Sequence, residues 1–501
     1  MAPSDYIQSQ ELAKQNNDPF FATVVDGRPY LPNFAVNASD AASVGNAAFV
    51  SVILSIYIAA TNDAANVDKG AAVAAKDTEL KTMAGGIVDW QSVLQDPSLA
   101  SSLKCTKVTG GITNALVRVS GFESLSSKIT SVVATLLASN NAGSSSTIHS
   151  SLLDFDSVLV RIFGAEGMID RNVETCTYAA LCNADIAYRY LGRFANGRIE
   201  GWLDGYVPLQ CTDLTHDETS LEIAKEMARL HCIFELPEGE LRNHHFGTDL
   251  DAITVGLWDQ LSSWMQQAKG YAEFKTPYDT ERVKKLSLDR IEAEVQKFMA
   301  SFTANKANGD DTSGDSTASI AGSAEKKNGK GNKKKSPIVF CHNDLLAANI
   351  MRHPTQNDIQ IIDFEYGGTN YAAFDIANHF NEHAGGTSTE ENGETDYSRF
   401  PSAERQKGFC VEYVKTMRRL ESMKSDLTEP SEPSEEEDPV DAEAMELLED
   451  VQKFILVNHL YWGLWAVNQA AEEGCEEFDY VNYATNRFKE FHAKKAEWGE
   501  S

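Results

Sequence analysis

Residues 338–382 read IVFCHNDLLAANIMRHPTQNDIQIIDFEYGGTNYAAFDIANHFNE, and this stretch decides the fold. It contains two short apolar runs typical of β-strands, Ile338–Cys341 and Ile359–Ile362. Each run ends in a polar turn that carries acidic side chains. The pattern therefore predicts carboxylates held at the ends of two strands.

Three oxygen-bearing side chains follow these runs at a fixed spacing. Asp344 closes a His-Asn-Asp motif, Asn349 comes five residues later, and Asp363 comes nineteen residues after Asp344. Phosphoryl transfer from a nucleoside triphosphate needs a carboxylate for the proton of the attacking hydroxyl and oxygen ligands for magnesium. The spacing is that of the catalytic and metal loops of protein kinases. It predicts Asp344 as the catalytic carboxylate, with Asn349 and Asp363 as metal ligands.

A structural interpretation of the same residues must be weighed against this one. A His-x-Asp motif alone is more often a turn than a catalytic loop, and motifs need structural context. The combination of Asn349, the two strands and the segment Ile-Asp-Phe-Glu-Tyr favours the catalytic interpretation. Asp375 is expected to support the catalytic loop, and His231 is expected to be a packed structural histidine.

Composition excludes several classes of protein. The chain has 501 residues, 42% of them hydrophobic, which is enough for a large core or for one two-lobed enzyme with insertions. The net charge of −30 argues against nucleic acid or an anionic membrane surface as a partner and suits a cationic substrate. A homodimer is left open.

The cysteines and the apolar runs bear on location. Eight cysteines are scattered without a CxxC pair, which predicts reduced thiols in a cytoplasmic protein rather than a metal cluster or a disulfide framework. Met1–Phe20 is polar and lacks a signal-peptide pattern. The run Ala47–Ala60 is shorter than a membrane span needs, so it predicts a packed helix and no stable membrane insertion.

The segments HNDLLAANI, IDFEYGGTNY and FDIANHFNE resemble the choline/ethanolamine kinase family, whose pattern is HNDxxxxN followed by IDFEY. The resemblance covers about residues 105–495. It implies an α+β, bilobal protein-kinase-like fold with a small β-rich N-lobe and a larger, mainly helical C-lobe. It also implies that ATP and Mg²⁺ are used to phosphorylate the hydroxyl of a small amino alcohol.

The same resemblance suggests how the chain is divided. Residues 1–75 are expected to be an N-terminal extension of unknown role, 76–203 the N-lobe and 204–501 the C-lobe. Two low-complexity segments, 302–337 and 425–442, are expected to be disordered insertions.

A Gly pair between β-type flanks, Gly110 and Gly111, is followed by Thr113 and Asn114. Glycines let backbone N–H groups approach phosphate oxygens, although a Gly pair alone is usually only a turn. The resemblance identifies GGITN as the phosphate-covering hairpin of the family. Asp77–Leu103, before it, is predicted to be helical.

The rest of the nucleotide side is also implied by the resemblance. Arg161, on a predicted strand, takes the place of the phosphate-binding lysine of protein kinases, and Glu174, on a predicted helix, is expected to hold it. Glu200 and Trp202 lie in a segment that resembles the linker between the lobes, where the adenine would bind. An exposed arginine and a helix-start glutamate are the alternative.

The resemblance also points to a pocket for a cationic head group. Glu365 and Glu382 would make it negative, and Trp462, Trp465 and Tyr483 would wall it with aromatic faces, which attract ammonium groups. Without the resemblance, two Trp residues on one helix would most often be core.

The choice between ethanolamine and choline stays open on chemistry, since both carboxylates and aromatics are present. HFNEHAGG followed by TDYSRFP resembles ethanolamine kinases, whereas GRIE at 197–200 resembles choline kinases. We therefore expect ethanolamine as substrate, the first step of the CDP-ethanolamine route to phosphatidylethanolamine, with a choline or dual-specificity kinase as the alternative. Further alternatives are a kinase of the same fold acting on aminoglycosides, sugars or homoserine, and a catalytically silent binding protein.

Overall fold

The computed structural model describes twelve stretches of the chain, which are 23–26, 28–37, 103–108, 114–123, 155–164, 170–235, 239–246, 256–303, 336–356, 358–388, 390–424 and 439–499. The predicted helix Ala47–Ala60 lies outside these residues, as does all of the predicted helix Asp77–Leu103 except its last residue. So do Gly110, Gly111 and Thr113 of the predicted phosphate hairpin.

The chain divides into two compact units. Unit 1 comprises Met1–Tyr206 and Leu236–His244, and unit 2 comprises Val207–Glu235 and His245–Ser501. Unit 1 is built mainly of β-strands and unit 2 mainly of helices, as predicted for the fold class.

Unit 1 contains one seven-stranded sheet. Its strands are β1 (Thr23–Val25), β2 (Arg28–Leu31), β3 (Lys104–Val108), β4 (Asn114–Ser120), β5 (Ser157–Phe163), β6 (Tyr190–Phe194) and β7 (Gly197–Gly201). The order is β1-β2-β6-β7-β5-β4-β3, and every neighbouring pair is antiparallel except β2 and β6. The segment expected to be an N-terminal extension thus contributes two strands to this sheet.

The β6–β7 hairpin fixes the middle of the sheet. The turn between its strands is Ala195 and Asn196, one residue earlier than the predicted Asn196-Gly197 pair, because Gly197 begins β7. Asn196 also bonds the backbone of Val36 in both directions, through Nδ2 to the carbonyl at 2.7 Å and from the amide to Oδ1 at 2.9 Å. A side chain at Gly197 would collide with the carbonyl oxygen of Arg161, so the close approach of the strands requires glycine there. Helix α1 (Arg171–Asn183) packs on this sheet, capped by the Asp170 carboxylate.

Unit 2 contains two small sheets and most of the helices. The first sheet pairs β8 (Val207–Pro208), β10 (Ile350–His353) and β11 (Asp358–Ile361), and the second pairs β9 (Ile338–Cys341) with β12 (Gly368–Tyr371). The helices are α2 (Asp217–Ile233), α3 (Glu240–Phe246, which begins in unit 1), α4 (Gly256–Gly270), α5 (Pro277–Lys284), α6 (Leu288–Thr303), α7 (Ala372–Glu382), α8 (Ala403–Lys424), α9 (Pro439–Glu472) and α10 (Tyr480–Glu497). Single 3₁₀ turns lie at Asp213–Thr215, Ala347–Asn349 and Tyr397–Arg399.

Helix α9 forms the core of unit 2. It packs against α4, α7, α8 and α10, and its residues from Phe454 to Val467 are almost entirely buried. The helix begins at Pro439, so 439–442 are helical rather than part of the predicted insertion 425–442. Among the described residues, no helix combines the length and the apolar composition that a membrane span requires.

Two glycines in helices of unit 2 give a matched stability test. A Cβ at Gly463 of α9 would lie 2.3 Å from the Phe488 ring on α10, whereas a Cβ at Gly408 of α8 would meet nothing within 4 Å. Both changes to alanine lower the conformational entropy of the unfolded backbone by the same amount. We expect Gly408→Ala to raise the free energy of unfolding by about 0.5–1 kcal/mol and Gly463→Ala to lower it by about 1–3 kcal/mol. Urea denaturation measures both, and equal effects would contradict the packing of α9 on α10.

Candidate active site

The catalytic loop predicted after β9 is anchored by one buried carboxylate. Asp375 Oδ2 accepts a hydrogen bond from the His342 amide at 2.8 Å, and Oδ1 accepts one from the Asn343 amide at 2.7 Å. Asp375 is 0% exposed. Its predicted role as a support of the loop is confirmed.

A second layer of contacts holds that carboxylate. His231 Nε2 donates to Asp375 Oδ2 at 3.0 Å, and His231 Nδ1 lies 2.9 Å from the Tyr413 hydroxyl. Burial raises the pKa of Asp375, but the His231 hydrogen bond and the backbone donors lower it more, so the net shift is downward. His231 is buried and structural, as expected.

Two non-glycine residues at the ends of the loops have left-handed backbones. Asn343 has φ 67° and Asp363 has φ 63°. Asn343 is held there because its Nδ2 donates to the Tyr366 carbonyl and its Oδ1 accepts from Asn370 Nδ2, both at 2.9 Å. Such conformations are costly for side chains other than Gly and concentrate at functional sites.

Hydrogen bonds tie the two loops together. Asn349 Nδ2 donates to the Asp344 carbonyl at 2.9 Å, and the Ile362 amide donates to the Asn349 carbonyl at 2.9 Å. His342 Nε2 bonds to the Ile362 carbonyl at 2.9 Å. The three residues predicted from their spacing therefore lie in one cluster. Asp344 and Asn349 are in direct contact, and Asp363 directly follows Ile362 in the chain.

These residues fit a magnesium ion. The Asn349 amide nitrogen is already engaged with Asp344, which leaves its oxygen as the group available to a ligand. Together with the Asp363 carboxylate this gives the hard oxygen donors that Mg²⁺ prefers. Asp344, Asn349 and Asp363 are half-buried and thus reachable by solvent, unlike the fully buried Asp375 behind them.

The cluster is strongly acidic. Removal from water raises the pKa of Asp344 well above its usual range, and the charges of Glu382, Glu365 and Asp363 raise it further. An arrangement in which carboxylates raise the pKa of one another favours the binding of cations for the same electrostatic reason.

Aromatic side chains border this acidic cluster. Trp462 and Trp465 meet edge to face at 5.4 Å, and Tyr366 lies 5.3 Å from Trp462. Trp465 Nε1 donates to the Tyr366 hydroxyl at 3.1 Å, and the Tyr483 ring lies 6.5 Å from Trp465. Burial raises the pKa of both Tyr366 and Tyr483, and the charge of Asp344 raises both further, so the aromatic group lies within the electrostatic reach of Asp344. Tyr366 closes the Ile-Asp-Phe-Glu-Tyr motif, but it was not among the site residues predicted from the sequence.

Glu382 has a partner that the sequence analysis missed. Arg487 on α10 donates to Glu382 Oε1 at 2.9 Å, and both side chains are at most 2% exposed. The other oxygen, Oε2, is buried without a hydrogen-bond partner. Burial raises the pKa of Glu382, and the Arg487 charge only partly offsets it.

In unit 1 the predicted Arg161–Glu174 pair is part of a larger buried cluster. Arg161 Nε donates to Glu200 at 2.8 Å, and Arg198 donates to Glu200 and Glu174, both at 2.7 Å. Arg171 bonds the second oxygen of Glu174 at 2.9 Å. Burial raises the pKa of Glu174, but the charges of Arg198, Arg171 and Arg161, in that order, lower it more. Arg161 and Arg198 are directly opposite on β5 and β7, so the two glutamates offset their repulsion.

The other nucleotide-side predictions are placed only in part. The Arg118 guanidinium lies over Trp202, 4.6 Å from the centre of the Trp202 ring. Asn114 begins β4 and is buried. Arg198 was missed, although its position two residues before Glu200 on one strand puts both on the same face.

A family model described as choline/ethanolamine kinase matches residues 105–492. The chain belongs to the choline/ethanolamine kinase family. Members of this family are kinases that act on choline or ethanolamine, so the chain is an enzyme of that class. The matched span includes both loops, the aromatic wall and the arginine–glutamate cluster of unit 1.

Curated choline/ethanolamine kinases of both names are similar to this chain. It is 33% identical over 341 residues to a probable choline kinase 2 of Arabidopsis thaliana, covering 68% of this chain and 77% of the relative. It is 30% identical over 345 residues to ethanolamine kinase 1 of Mus musculus, covering 68% and 78%.

Solved structures of the family share the fold. An ethanolamine kinase of Plasmodium vivax matches with a TM-score of 0.54 at 23% identity, covering 84% of this chain and 91% of that one. A choline kinase of Cryptosporidium parvum matches with a TM-score of 0.52 at 24% identity, covering 82% and 93%. The fold is therefore the protein-kinase-like fold of these kinases.

The cluster of unit 1 predicts how stability responds to pH. Burial raises the pKa of Glu200, but the charges of Arg161 and Arg198 bring it down to about 2, below the unfolded value of 4.5. A lowered pKa stabilises the fold above the unfolded pKa, and this contribution is lost as the pH falls towards 2. Glu200→Gln should thus lower the free energy of unfolding by roughly 3 kcal/mol at pH 7 and by less at pH 4.

Chemical denaturation at the two pH values tests this, with the exposed Glu123→Gln as control in the same unit. The control should stay within about 0.5 kcal/mol of wild type. A Glu200→Gln deficit that grew on acidification would contradict the assignment.

Proposed function

We propose that the protein is an ATP- and Mg²⁺-dependent ethanolamine kinase that makes phosphoethanolamine for phospholipid synthesis. The observation that carries this proposal is the unpartnered, buried Oε2 of Glu382 beside an aromatic wall and the catalytic aspartate. A primary ammonium group carries three N–H donors and a positive charge. One N–H would satisfy the Glu382 oxygen, and the positive charge would be attracted to the aromatic faces.

The proposed reaction assigns a role to each side chain. The hydroxyl oxygen of ethanolamine attacks the γ-phosphorus of ATP, the bond from that phosphorus to the bridging oxygen of ADP breaks, and the hydroxyl proton passes to Asp344. Asn349 and Asp363 would hold Mg²⁺, which when bound neutralises charge on the phosphates. Asp375 keeps the loop that carries Asp344 in place through the two backbone N–H groups.

The ammonium end of the substrate is assigned to the acidic and aromatic residues. Glu365 and Glu382 supply the negative field, and Trp462, Trp465 and Tyr483 supply ring faces. The field of these carboxylates supports a cationic substrate.

The nucleotide-side assignments follow the resemblance. We propose that Arg161, with Glu174 beside it in the buried cluster, contacts the phosphates of ATP. The backbone of Gly110, Gly111, Thr113 and Asn114 would cover them, and the segment of Glu200 and Trp202 would bind the adenine. In the cluster of unit 1 the guanidinium groups of Arg161 and Arg198 lie side by side with Glu200 and Glu174, and such buried cationic groups support the proposal.

A choline or dual-specificity kinase is the second candidate. The aromatic wall favours it, because a trimethylammonium group binds ring faces without donating hydrogen bonds. Choline would leave Glu382 Oε2 without a donor, and an unsatisfied buried acceptor costs binding free energy. The selectivity between ethanolamine and choline therefore depends on Glu382 Oε2.

The substrate assignment is tested by coupled ADP release with ethanolamine and choline, each titrated in the presence of Mg²⁺. We expect kcat/KM for ethanolamine to exceed that for choline by roughly 10-fold or more, since a hydrogen bond to a charged group is at stake. An equal or reversed preference would reject ethanolamine in favour of the second candidate.

Asp344→Ala tests whether the protein is a catalyst at all. We expect kcat to fall by on the order of 10²–10⁴-fold, the usual loss when a proton acceptor is removed. The control is Asp289→Asn, whose side chain is 89% exposed and which should keep wild-type turnover. Equal turnover in wild type and Asp344→Ala would indicate that the turnover comes from a contaminating kinase. The protein itself would then be a catalytically silent binding protein.

A further inference from the structure

A buried polar network lies behind the aromatic wall, and Arg487 is its centre. The Arg487 side chain is 1% exposed. Its Nη1 donates to Glu382 Oε1 at 2.9 Å and to the Tyr483 hydroxyl at 3.3 Å, and its Nη2 donates to Asn458 Oδ1 at 2.5 Å. One guanidinium therefore contacts α7, α9 and a ring of α10 at the same time.

The network continues from Asn458 to the indole of Trp462. Asn458 Nδ2 donates to Asn378 Oδ1 at 2.9 Å, and Trp462 Nε1 donates to the same oxygen at 2.7 Å. Asn458 and Asn378 are both 0% exposed. The orientation of the Trp462 ring and the position of Glu382 are thus fixed by the same chain of hydrogen bonds.

One carboxylate oxygen of the network is left over. Glu382 Oε2 is buried and has no hydrogen-bond partner. Buried polar atoms nearly always have one, so an exception calls for an explanation. Burial raises the pKa of Asp344, and the charge of Glu382 raises it further, so the two carboxylates belong to one acidic cluster. A donor that belongs to the substrate would satisfy the oxygen.

We propose that Arg487 is a specificity-determining positioning residue, which fixes Glu382 so that its free oxygen accepts an N–H from the substrate ammonium. The inference rests on the proposed function, because it assumes an amino-alcohol acceptor. Arg487 itself does not touch the substrate. It acts through Glu382, through Tyr483 and, by way of the two asparagines, through Trp462.

The geometry of arginine is needed for this role. A guanidinium presents several N–H donors in a rigid plane, so it can bond Glu382, Tyr483 and Asn458 together. A lysine ammonium keeps the charge but is a point charge on a flexible stem, and it does not reproduce the three fixed directions. The effect on selectivity should therefore depend on shape as well as on charge.

The substrates for the test differ only at the nitrogen, where each N–H donor that is lost is replaced by a methyl group. Ethanolamine, N-methylethanolamine, N,N-dimethylethanolamine and choline all carry one positive charge, and the number of N–H groups falls from three to none. We expect wild-type kcat/KM to fall along this series, with the largest drop at choline. ATP and Mg²⁺ are kept saturating, so the comparison reports on the ammonium end alone.

The variants are Arg487→Met, Arg487→Lys and the control Arg282→Met. In Arg487→Met the ratio of kcat/KM for ethanolamine to that for choline should fall by roughly 10-fold to 100-fold, through a raised KM for ethanolamine. Arg487→Lys should give an intermediate ratio. Arg282 pairs with Asp479, the N-cap of the same helix α10, at 2.8 Å, so Arg282→Met tests the loss of an ion pair on that helix. Its ratio should equal that of wild type.

A purely structural role for Arg487 gives a different result. It would lower kcat/KM for all four amines by the same factor and leave the ratio unchanged in a folded Arg487→Met, and that outcome overturns the inference. If Arg487→Met does not fold by circular dichroism, Arg487→Lys carries the test, and a wild-type ratio in that variant overturns it equally. A wild type without preference for ethanolamine would instead overturn the proposed function, and the inference with it.

Discussion

The buried carboxylate of Asp375 is the charge on which the His-Asn-Asp loop depends. It is fully removed from water, yet it accepts both backbone N–H groups that begin the His-Asn-Asp loop and one from His231. An ionised carboxylate in such a place is stable only because every one of these donors is present. The left-handed backbone of Asn343 is held by its own side-chain bonds to Tyr366 and Asn370, and the bonds to Asp375 fix the loop that leads to Asp344.

The charged clusters of the two units differ in kind. The buried cluster of unit 1 gathers the guanidinium groups of residues 161, 171 and 198 around the glutamates 174 and 200. In unit 2, burial and the charges of Glu382, Glu365 and Asp363 raise the pKa of Asp344, as expected in a negative field. A nucleotide phosphate needs cationic groups, and an ammonium group or a metal ion needs a negative field. This division agrees with the chemistry of the choline/ethanolamine kinase family.

Local patterns in the sequence were enough for the strands and turns around Asp344 and Asp363, and they failed where partners are distant. The strands before His342 and Asp363 were predictable because an apolar run that stops at a polar turn has few other structures. The placement of Trp462 and Trp465 on one helix was also predictable, and both lie on Pro439–Glu472. Arg487 carried no such signal, since a helical arginine is usually exposed and its partner Glu382 is 105 residues away. The direct partners of Glu174 depended on how β5, β7 and α1 meet, which no local pattern encodes.

The most direct test of this account is the steady-state kinetics of Asp375→Asn with saturating ATP and Mg²⁺. An asparagine has one carbonyl oxygen where the carboxylate has two. Only one of the two oxygen positions of Asp375 can therefore still accept hydrogen bonds, and the NH₂ at the other position faces a backbone N–H. The account predicts a folded variant whose kcat falls about 100-fold, the effect of a misplaced catalytic group, while KM for ethanolamine stays near the wild-type value. A folded Asp375→Asn with wild-type kcat would contradict the claim that this carboxylate positions the catalytic loop.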